Sequence, residues 1–344
     1  MNDVLLLLSW YQKNKRVLPW RKDKNPYHIW ISEIMLQQTR IEAVIPYYER
    51  FMKRIPDVNA LATIDEDELL KLWEGLGYYN RARNLKKAAQ IIMSEYQGTF
   101  PTTYEEIMRL PGIGEYTASA IASICFREAT PTIDGNVLRV YTRLKEDKRN
   151  VDLNQTKKEI REEISQIIPL EAGDFNEALM ELGETICLPN GEPKCNMCPL
   201  SHICKAYLHQ SWAKFPVKAE KRSKKELFYT VFLFYYQNQV AIRKRDDKGL
   251  LKNLWEFPNE LGKMGIADVK KYLKQHQIYF SSVKKGISYK HVFTHQIWYM
   301  QSFQIELTSV INDFKWVSIE EIEEKYAIPG AFEPFLKQFK HNIK

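Results

Sequence analysis

The stretch Leu110-Pro-Gly-Ile-Gly114 lies between two helical patterns and leaves the chain few choices of fold. Thr102–Met108 has helical spacing before it, and Tyr116, Ala118, Ala120, Ile121 and Ile124 resume that period after it. Two glycines separated by one apolar residue predict a turn too tight for a Cβ at Gly112 and Gly114. Such a unit presents bare backbone N–H groups at the start of its second helix, where a phosphate oxygen can bind. It is not a strand–Gly-rich–Lys-Ser/Thr nucleotide loop, because a helix precedes it and no such lysine follows. The same region ends in Thr132-Ile133-Asp134-Gly135-Asn136, ahead of a helical run Val137–Leu144. A phosphate-binding turn is thus followed by a carboxylate at a chain reversal, which could equally be a plain N-cap.

Two earlier stretches carry further chemistry. Tyr27–Tyr48 reads as one helix ending near Pro46, and it contains Trp30-Ile-Ser-Glu33-Ile-Met-Leu36-Gln-Gln38-Thr39. Helical spacing surrounds Glu33 with Ile29, Trp30 and Leu36. A carboxyl among apolar side chains resists ionisation, and a raised pKa suits a general acid near neutrality. The alternative is a glutamate that reaches solvent at the helix edge. Gly75-Leu76-Gly77 then breaks a helix that ends near Trp73, and Tyr78-Tyr79-Asn80-Arg81-Ala82-Arg83 follows. Aromatics beside arginines suit a wedge entering a duplex while cations hold phosphates, although local packing would use the same residues.

Gln155–Ile168 and Asp174–Thr185 are further amphipathic helices, so the chain to about residue 184 reads as all-helical. Cys187, Cys195, Cys198 and Cys204 follow, with seven, two and five residues between them. In a reducing compartment such thiols bind metal rather than pair as disulfides. Structural zinc sites use two short Cys pairs; only one is present, which favours an iron–sulfur cluster. Cys125, in an apolar helix, reads as a buried free thiol. Ser211–Glu226 reads as a linker with Pro216 and six cations. Beyond it Leu227–Tyr236, Gln239–Arg245, Val283–Tyr289 and Gln296–Leu307 are β-rich, while Ile266–His276, Ile319–Tyr326 and Ala331–Phe339 are helical. Two domains therefore suit the 344 residues, the second of α+β type. A net charge of +7 is compatible with an acidic partner such as nucleic acid. No stretch is long and apolar enough for a membrane span and Val4–Leu8 lacks signal-peptide flanks, so a cytoplasmic protein is expected.

Trp20-Arg21, Trp30–Thr39, Gly75–Tyr79, Leu110–Gly114, Asp134-Gly135-Asn136 and the four cysteines occur in the order found in MutY-type adenine DNA glycosylases, which this chain resembles along nearly its whole length. The resemblance implies a multidomain α and α+β architecture. Residues 1–210 would form an endonuclease III-like helical half, with the hairpin at 110–114 and a 4Fe–4S loop at 187–204. Residues 211–226 would be the linker, and 227–344 a MutT/Nudix-like domain. It implies an enzyme that removes adenine mispaired with 8-oxoguanine or guanine in double-stranded DNA, acting as a monomer associated with the nucleoid if bacterial.

The resemblance makes Glu33 the acid that protonates adenine N7 and Asp134 the carboxylate that stabilises a cationic sugar, the division of labour that glycoside cleavage needs. Tyr116 stands where lyase-competent relatives have a Schiff-base lysine, so a monofunctional glycosylase is implied, with Tyr116 and Asn136 at the sugar. Trp20, Arg21, Leu36, Ile41 and Glu177 would line the adenine pocket. Gln38, Leu76 and Tyr78 would probe the duplex, and Gly112 and Gly114 would hold its backbone. Phe293-Thr294-His295 resembles the family's Phe-Ser-His loop against 8-oxoguanine, with Thr in place of Ser. The Nudix hydrolase signature is absent, so the second domain would read a lesion without hydrolysing anything. The first cysteine interval is seven residues against the family's six.

Overall fold

The computed structural model describes residues 3–220 and 223–342; Lys221 and Arg222, two of the expected linker cations, lie outside the described residues. The chain forms two compact units, Met1–Thr63 with Asn84–Glu220, and Ile64–Arg83 with Lys221–Lys344. The segment Ile64–Arg83 thus packs with the C-terminal half although it lies inside the stretch expected to be the helical domain.

The first unit contains α1 (Asp3–Asn14), α2 (Pro26–Leu36), α3 (Ile41–Arg54) and α4 (Val58–Thr63). After α5 (Glu66–Leu72), which belongs to the second unit, come α6 (Asn80–Glu95), α7 (Tyr104–Met108), α8 (Glu115–Phe126), α9 (Gly135–Lys145), α10 (Asn154–Ser165), α11 (Ala172–Thr185) and α12 (Lys205–Leu208). The expected single helix 27–48 is two helices. Pro46 sits within α3, and the break falls earlier, where Gln38 takes a left-handed backbone with φ 60°. Asn25 starts α2 by accepting from the Tyr27 N–H, with Pro26 at the first helical position.

Every residue of α8 from Thr117 to Ile124 is buried. A helix with no polar face can only sit at the centre of its unit. Its small residues let neighbours come close: a Cβ on Gly173 of α11 would stand 2.8 Å from the Ser123 carbonyl oxygen. A second cluster joins Leu7 and Tyr11 of α1, Val137 and Val140 of α9, Ile160 of α10 and Leu182 of α11. Each such aliphatic side chain contributes about 1.5–3 kcal/mol on burial.

The expected linker is anchored to this unit through Ala219. Arg143 Nε donates to the carbonyls of Trp212 and Phe215, the Val151 N–H to Val217, and the Ala219 N–H to Asp152. Cys125 is half-buried rather than fully enclosed.

The second unit holds β1 (Lys225–Tyr236), β2 (Gln239–Lys244), β3 (Trp255–Glu256), β4 (Asn259–Leu261), α13 (Ile266–Gln275), β5 (Phe280–Val292), β6 (Gln296–Leu307), β7 (Lys315–Val317), α14 (Ile319–Lys325) and α15 (Glu333–Asn342). The sheet runs β3-β2-β1-β6-β5, with β4 on β1 and β7 on β2. The four expected strands are present; β3, β4 and β7, at two or three residues each, are too short to show a period in sequence. Strand β1 is buried on both faces, and alternation sends its residues into two cores. Val231 and Leu233 pack with Ile322 and Phe335 of α14 and α15, while Phe232 and Phe234 pack with Val269 and Leu273 of α13. Helices therefore cover both faces of the sheet. Strand β6 pairs parallel to β1, and the β5–β6 hairpin turns at Phe293–His295.

Candidate active site

A cleft of about 410 Å³ opens among α2, α8, α9 and α11 in the first unit. Its walls include Glu33, Asp134, Tyr116, Asn136, Trp20, Arg21, Leu36, Ile41, Glu177 and Gln38, side chains spread over some 160 residues of sequence. Sequence reasoning missed Arg16, Met180, Glu181 and Glu184, which line it too. A signal for two of them was available: Glu177, Glu181 and Glu184 recur at helical spacing on one face of α11.

Glu33 is 7 % exposed, and its Oε2 is buried with no hydrogen-bond partner among the described residues. Burial raises its pKa to about 7; the charges of Glu177 and Asp134 add to the rise, while a hydrogen bond with Tyr116 and the charge of Arg21 oppose it. A carboxyl in this setting carries its proton near neutrality and can give it up. The Tyr116 hydroxyl lies between Glu33 and Met180, 3.2 Å from the Met180 Sδ.

Asp134 caps α9: Oδ1 accepts from the Val137 N–H at 2.7 Å and Oδ2 from Asn136 Nδ2 at 2.8 Å. Burial pushes its pKa above the ordinary carboxylate range, and those hydrogen bonds pull against the shift. The helix N-terminus also favours the anion. The chain leading to Asp134 is fixed by the fully buried Asn176, which accepts from the Thr132 N–H and donates to Ser123 Oγ and the Thr130 carbonyl. Asn136 is placed by a close approach: a Cβ on Gly183 would stand 2.6 Å from the Asn136 Cβ. Both catalytic candidates thus sit on helices, and their carboxyls differ in kind. In Glu33 one oxygen is left without a partner; in Asp134 both oxygens accept hydrogen bonds.

Opposite them, Arg21 Nε donates to Glu177 at 2.9 Å and Nη1 to Glu181 at 3.0 Å, while Arg16 Nε donates to Glu181 at 2.6 Å. Arg16 Nη2 also donates to Glu184. Burial works to raise the Glu181 pKa, but its bonds to the two arginines outweigh that and hold it low. Paired charges and apolar Trp20, Leu36 and Ile41 line the same cleft, a mixture suited to a flat, polar-edged ring.

The hairpin between α7 and α8 lies at the surface. Gly112 has φ 79°, and a Cβ there would stand 2.5 Å from the Asn84 Cβ. Gly114, expected to share that constraint, is extended and has open space where a Cβ would stand, because it is the N-cap of α8.

Cys187, Cys195, Cys198 and Cys204 line one small pocket with Arg143, Pro193 and Trp212. Among the described residues no trio of His, Cys, Asp or Glu side chains meets the spacing of a single-ion site, so what the thiols share is a pocket wall. Arg143 Nη1 lies 3.2 Å from the Cys187 Sγ, a cation beside a potential thiolate. Burial pushes the Cys198 thiol up to about 12. Four convergent thiols in an apolar pocket with a cation are a donor set that fits an iron–sulfur cluster. The extra residue of the first interval is absorbed in a loop where Gly191 has φ 74°.

In the second unit Tyr78 (φ 47°) is half exposed, and its hydroxyl lies 2.8 Å from Thr294 Oγ1 on the β5–β6 turn. Thr294 and His295 are exposed; Phe293 packs edge-on against Trp298 at 4.7 Å. The two nearby arginines turn inward instead of facing phosphates. Arg81 donates to the carbonyls of Leu76 and Gly77 and lies against the Trp73 and Tyr78 rings. Arg83 donates to Glu66, Asn80 and the Lys252 carbonyl. The Leu76 side chain is buried, so only its backbone can face a ligand.

Residues 31–170 match the model of the HhH-GPD superfamily base excision DNA repair proteins, and residues 230–338 match the NUDIX domain. Among solved structures, that of a thermostable thymine-DNA glycosylase superposes with a TM-score of 0.54 at 30% identity, over 60% of this chain and 95% of its own. A non-covalent endonuclease III–DNA complex gives 0.52 at 24%, over 60% and 95%, which shows the fold alone. Helical fold and cleft thus define a base excision repair glycosylase joined to a NUDIX domain. The adenine DNA glycosylase of Buchnera aphidicola subsp. Acyrthosiphon pisum is 34% identical over 346 residues, covering 98% of this chain and 97% of its own. That of Buchnera aphidicola subsp. Schizaphis graminum is 40% identical over 300 residues, 84% and 83% of the two chains, and the human one 34% over 308, 74% and 56%. The chain belongs to the adenine DNA glycosylase family and is an enzyme of that activity.

Proposed function

We propose that the enzyme excises adenine paired with 8-oxoguanine or guanine in duplex DNA, by acid-assisted hydrolysis of a flipped nucleotide. Glu33 gives its proton to adenine N7; the N9–C1′ bond then breaks with its electrons leaving on the base. Asp134, as the anion, stabilises the positive charge that develops at C1′, and water adds there, its proton passing to the now ionised Glu33, to leave an abasic sugar. Tyr116 and Asn136 attend the sugar, and Trp20, Arg21, Leu36, Ile41 and Glu177 hold the base. The observation that carries this reading is the unpartnered, buried Glu33 Oε2 in the wall that Asp134 shares. Such an oxygen is costly unless a ligand atom meets it.

Gln38 and Tyr78 probe the duplex, Leu76 meets it through its backbone alone, and Gly112 and Gly114 bind the DNA backbone. Phe293, Thr294 and His295 read the base opposite the adenine. Cys187, Cys195, Cys198 and Cys204 would hold a 4Fe–4S cluster, which would tie the loop together and supply a redox-capable centre when bound. Domain limits of 1–210 and 227–344 remain our functional division, amended by the seat of Ile64–Arg83 in the second unit.

The test is excision of adenine opposite 8-oxoguanine against adenine opposite thymine. Preference for the first is expected, and equal rates would refute the reading. Glu33→Gln should bind the mispaired duplex and release no base; excision near the wild-type rate would remove Glu33 from its role. Borohydride should trap no protein–DNA adduct, because Tyr116 cannot form a Schiff base.

A further inference from the structure

The segment that carries Tyr78 is held by the second unit at several places. Lys71 Nζ donates to the Ile322 and Tyr326 carbonyls at 3.0 and 3.2 Å and pairs with Glu74 at 2.6 Å. The other Glu74 oxygen accepts from the Ile328 N–H at 2.7 Å. Lys71 and Glu74 thus grip the backbone on either side of Tyr326. At the far end of the segment Arg83 donates to the Lys252 carbonyl at 2.7 Å. Lys244 pairs with Asp67 at 2.7 Å. Between these anchors lie Gly75, Gly77 and Tyr78, all at positive φ, with Arg81 closing the turn on itself. Trp73 and Arg81 brace the turn from within, and the anchors fix where its ends lie.

We infer that Lys71 and Glu74 are positioning residues through which the C-terminal unit sets the duplex-probing Tyr78 in register with Thr294. This rests on the assignment of Thr294 to the opposite base. The C-terminal unit then has a second task besides reading that base: it seats the wedge. The hydroxyl pair of Tyr78 and Thr294 follows from this seating. Either hydroxyl can be the donor, so the pair can re-aim a proton toward an acceptor or leave a lone pair for a donor on the opposite base. Separating the two by even one ångström would break that exchange.

The experiment uses the full chain and compares Glu74→Ala with Glu74→Gln. Gln keeps the oxygen that accepts from Ile328 and loses the charge and the acceptor facing Lys71, which keeps its two carbonyl partners. Amide exchange across residues 75–81 should rise at least about tenfold in Glu74→Ala and stay near wild type in Glu74→Gln. The preference for adenine opposite 8-oxoguanine over adenine opposite guanine, as a ratio of kcat/KM, should fall about tenfold in Glu74→Ala, the size of one lost hydrogen bond. The excision rate at saturating enzyme should stay put, and the unfolding midpoint of Glu74→Ala should fall by no more than the loss of the Ile328 and Lys71 bonds implies. Unchanged amide exchange, an unchanged preference, or an equal loss on both duplexes would overturn the inference. A wild-type enzyme with no preference would refute the reading of the opposite base and the specificity role with it; amide exchange would still decide whether Glu74 seats the turn.

Discussion

Replacing Glu33 by Gln should stabilise the enzyme, and by an amount that depends on pH. Burial lifts the Glu33 pKa from 4.5 to about 7, a shift of about 2.5. Below pH 4.5 the carboxyl is protonated in folded and unfolded chains alike, and the folded state has the full benefit of a neutral group. Between 4.5 and 7 the unfolded chain releases the proton while the folded chain keeps it, so stability falls as pH rises. Above 7 both are ionised and the loss is complete, about 3 kcal/mol at 1.36 kcal/mol for each unit. Glutamine has no proton to lose, so its stability is flat across this window. Glu33→Gln should therefore match the wild type within about 1 kcal/mol at pH 5 and exceed it by about 3 kcal/mol at pH 8. For a unit of about 200 residues that is a rise of roughly 6–12 °C in Tm. Denaturant unfolding at the two pH values, with equal slopes, measures it. A stability difference that is the same at pH 5 and pH 8 would refute the buried-acid argument. A residue held for chemistry at the expense of stability should show this signature; one held for packing should not.

Excision at saturating enzyme should decline as pH rises through about 7, following deprotonation of Glu33; a rate that stays level to pH 9 would count against Glu33 as the acid. Gly112→Ala should cost about 2 kcal/mol or more and weaken duplex binding, because a Cβ would strike Asn84 and the backbone is left-handed, whereas Gly114→Ala should cost under about 1 kcal/mol; similar losses would show that the hairpin is not built as described. Asn176→Ala should cost about 2–3 kcal/mol by orphaning the Thr132 N–H and the Thr130 carbonyl, and it should lower kcat more than KM changes; a stability loss with normal kcat would separate Asn176 from the setting of Asp134. Cys198→Ser should yield protein without bound iron, read by metal analysis; full iron content would exclude the four-cysteine site.

What could be read from the sequence was whatever repeats with a local period. Helix α8 and the helix capped by Asp134 were visible because apolar spacing and a capping residue are properties of ten neighbouring positions. The apolar setting of Glu33 was visible for the same reason. The break at Gln38 was not, since a left-handed Gln leaves no mark in composition while Pro46 leaves a misleading one. The inward turn of Arg81 and Arg83 was also hidden: their partners are backbone carbonyls, which every residue has. Nothing in the spacing of residues 64–83 announces that their packing partner is some 250 positions away. That Glu33 and Asp134 meet came from likeness to a family; pattern alone could not supply it.

The residence of Ile64–Arg83 in the second unit bears on how this protein is made. Leu69, Leu70 and Trp73 are buried and emerge early in synthesis, yet Lys221–Lys344, the rest of the unit their segment belongs to, arrives last. In a chain cut after Glu220, the segment Ile64–Arg83 would be present without Lys221–Lys344, the rest of its own unit.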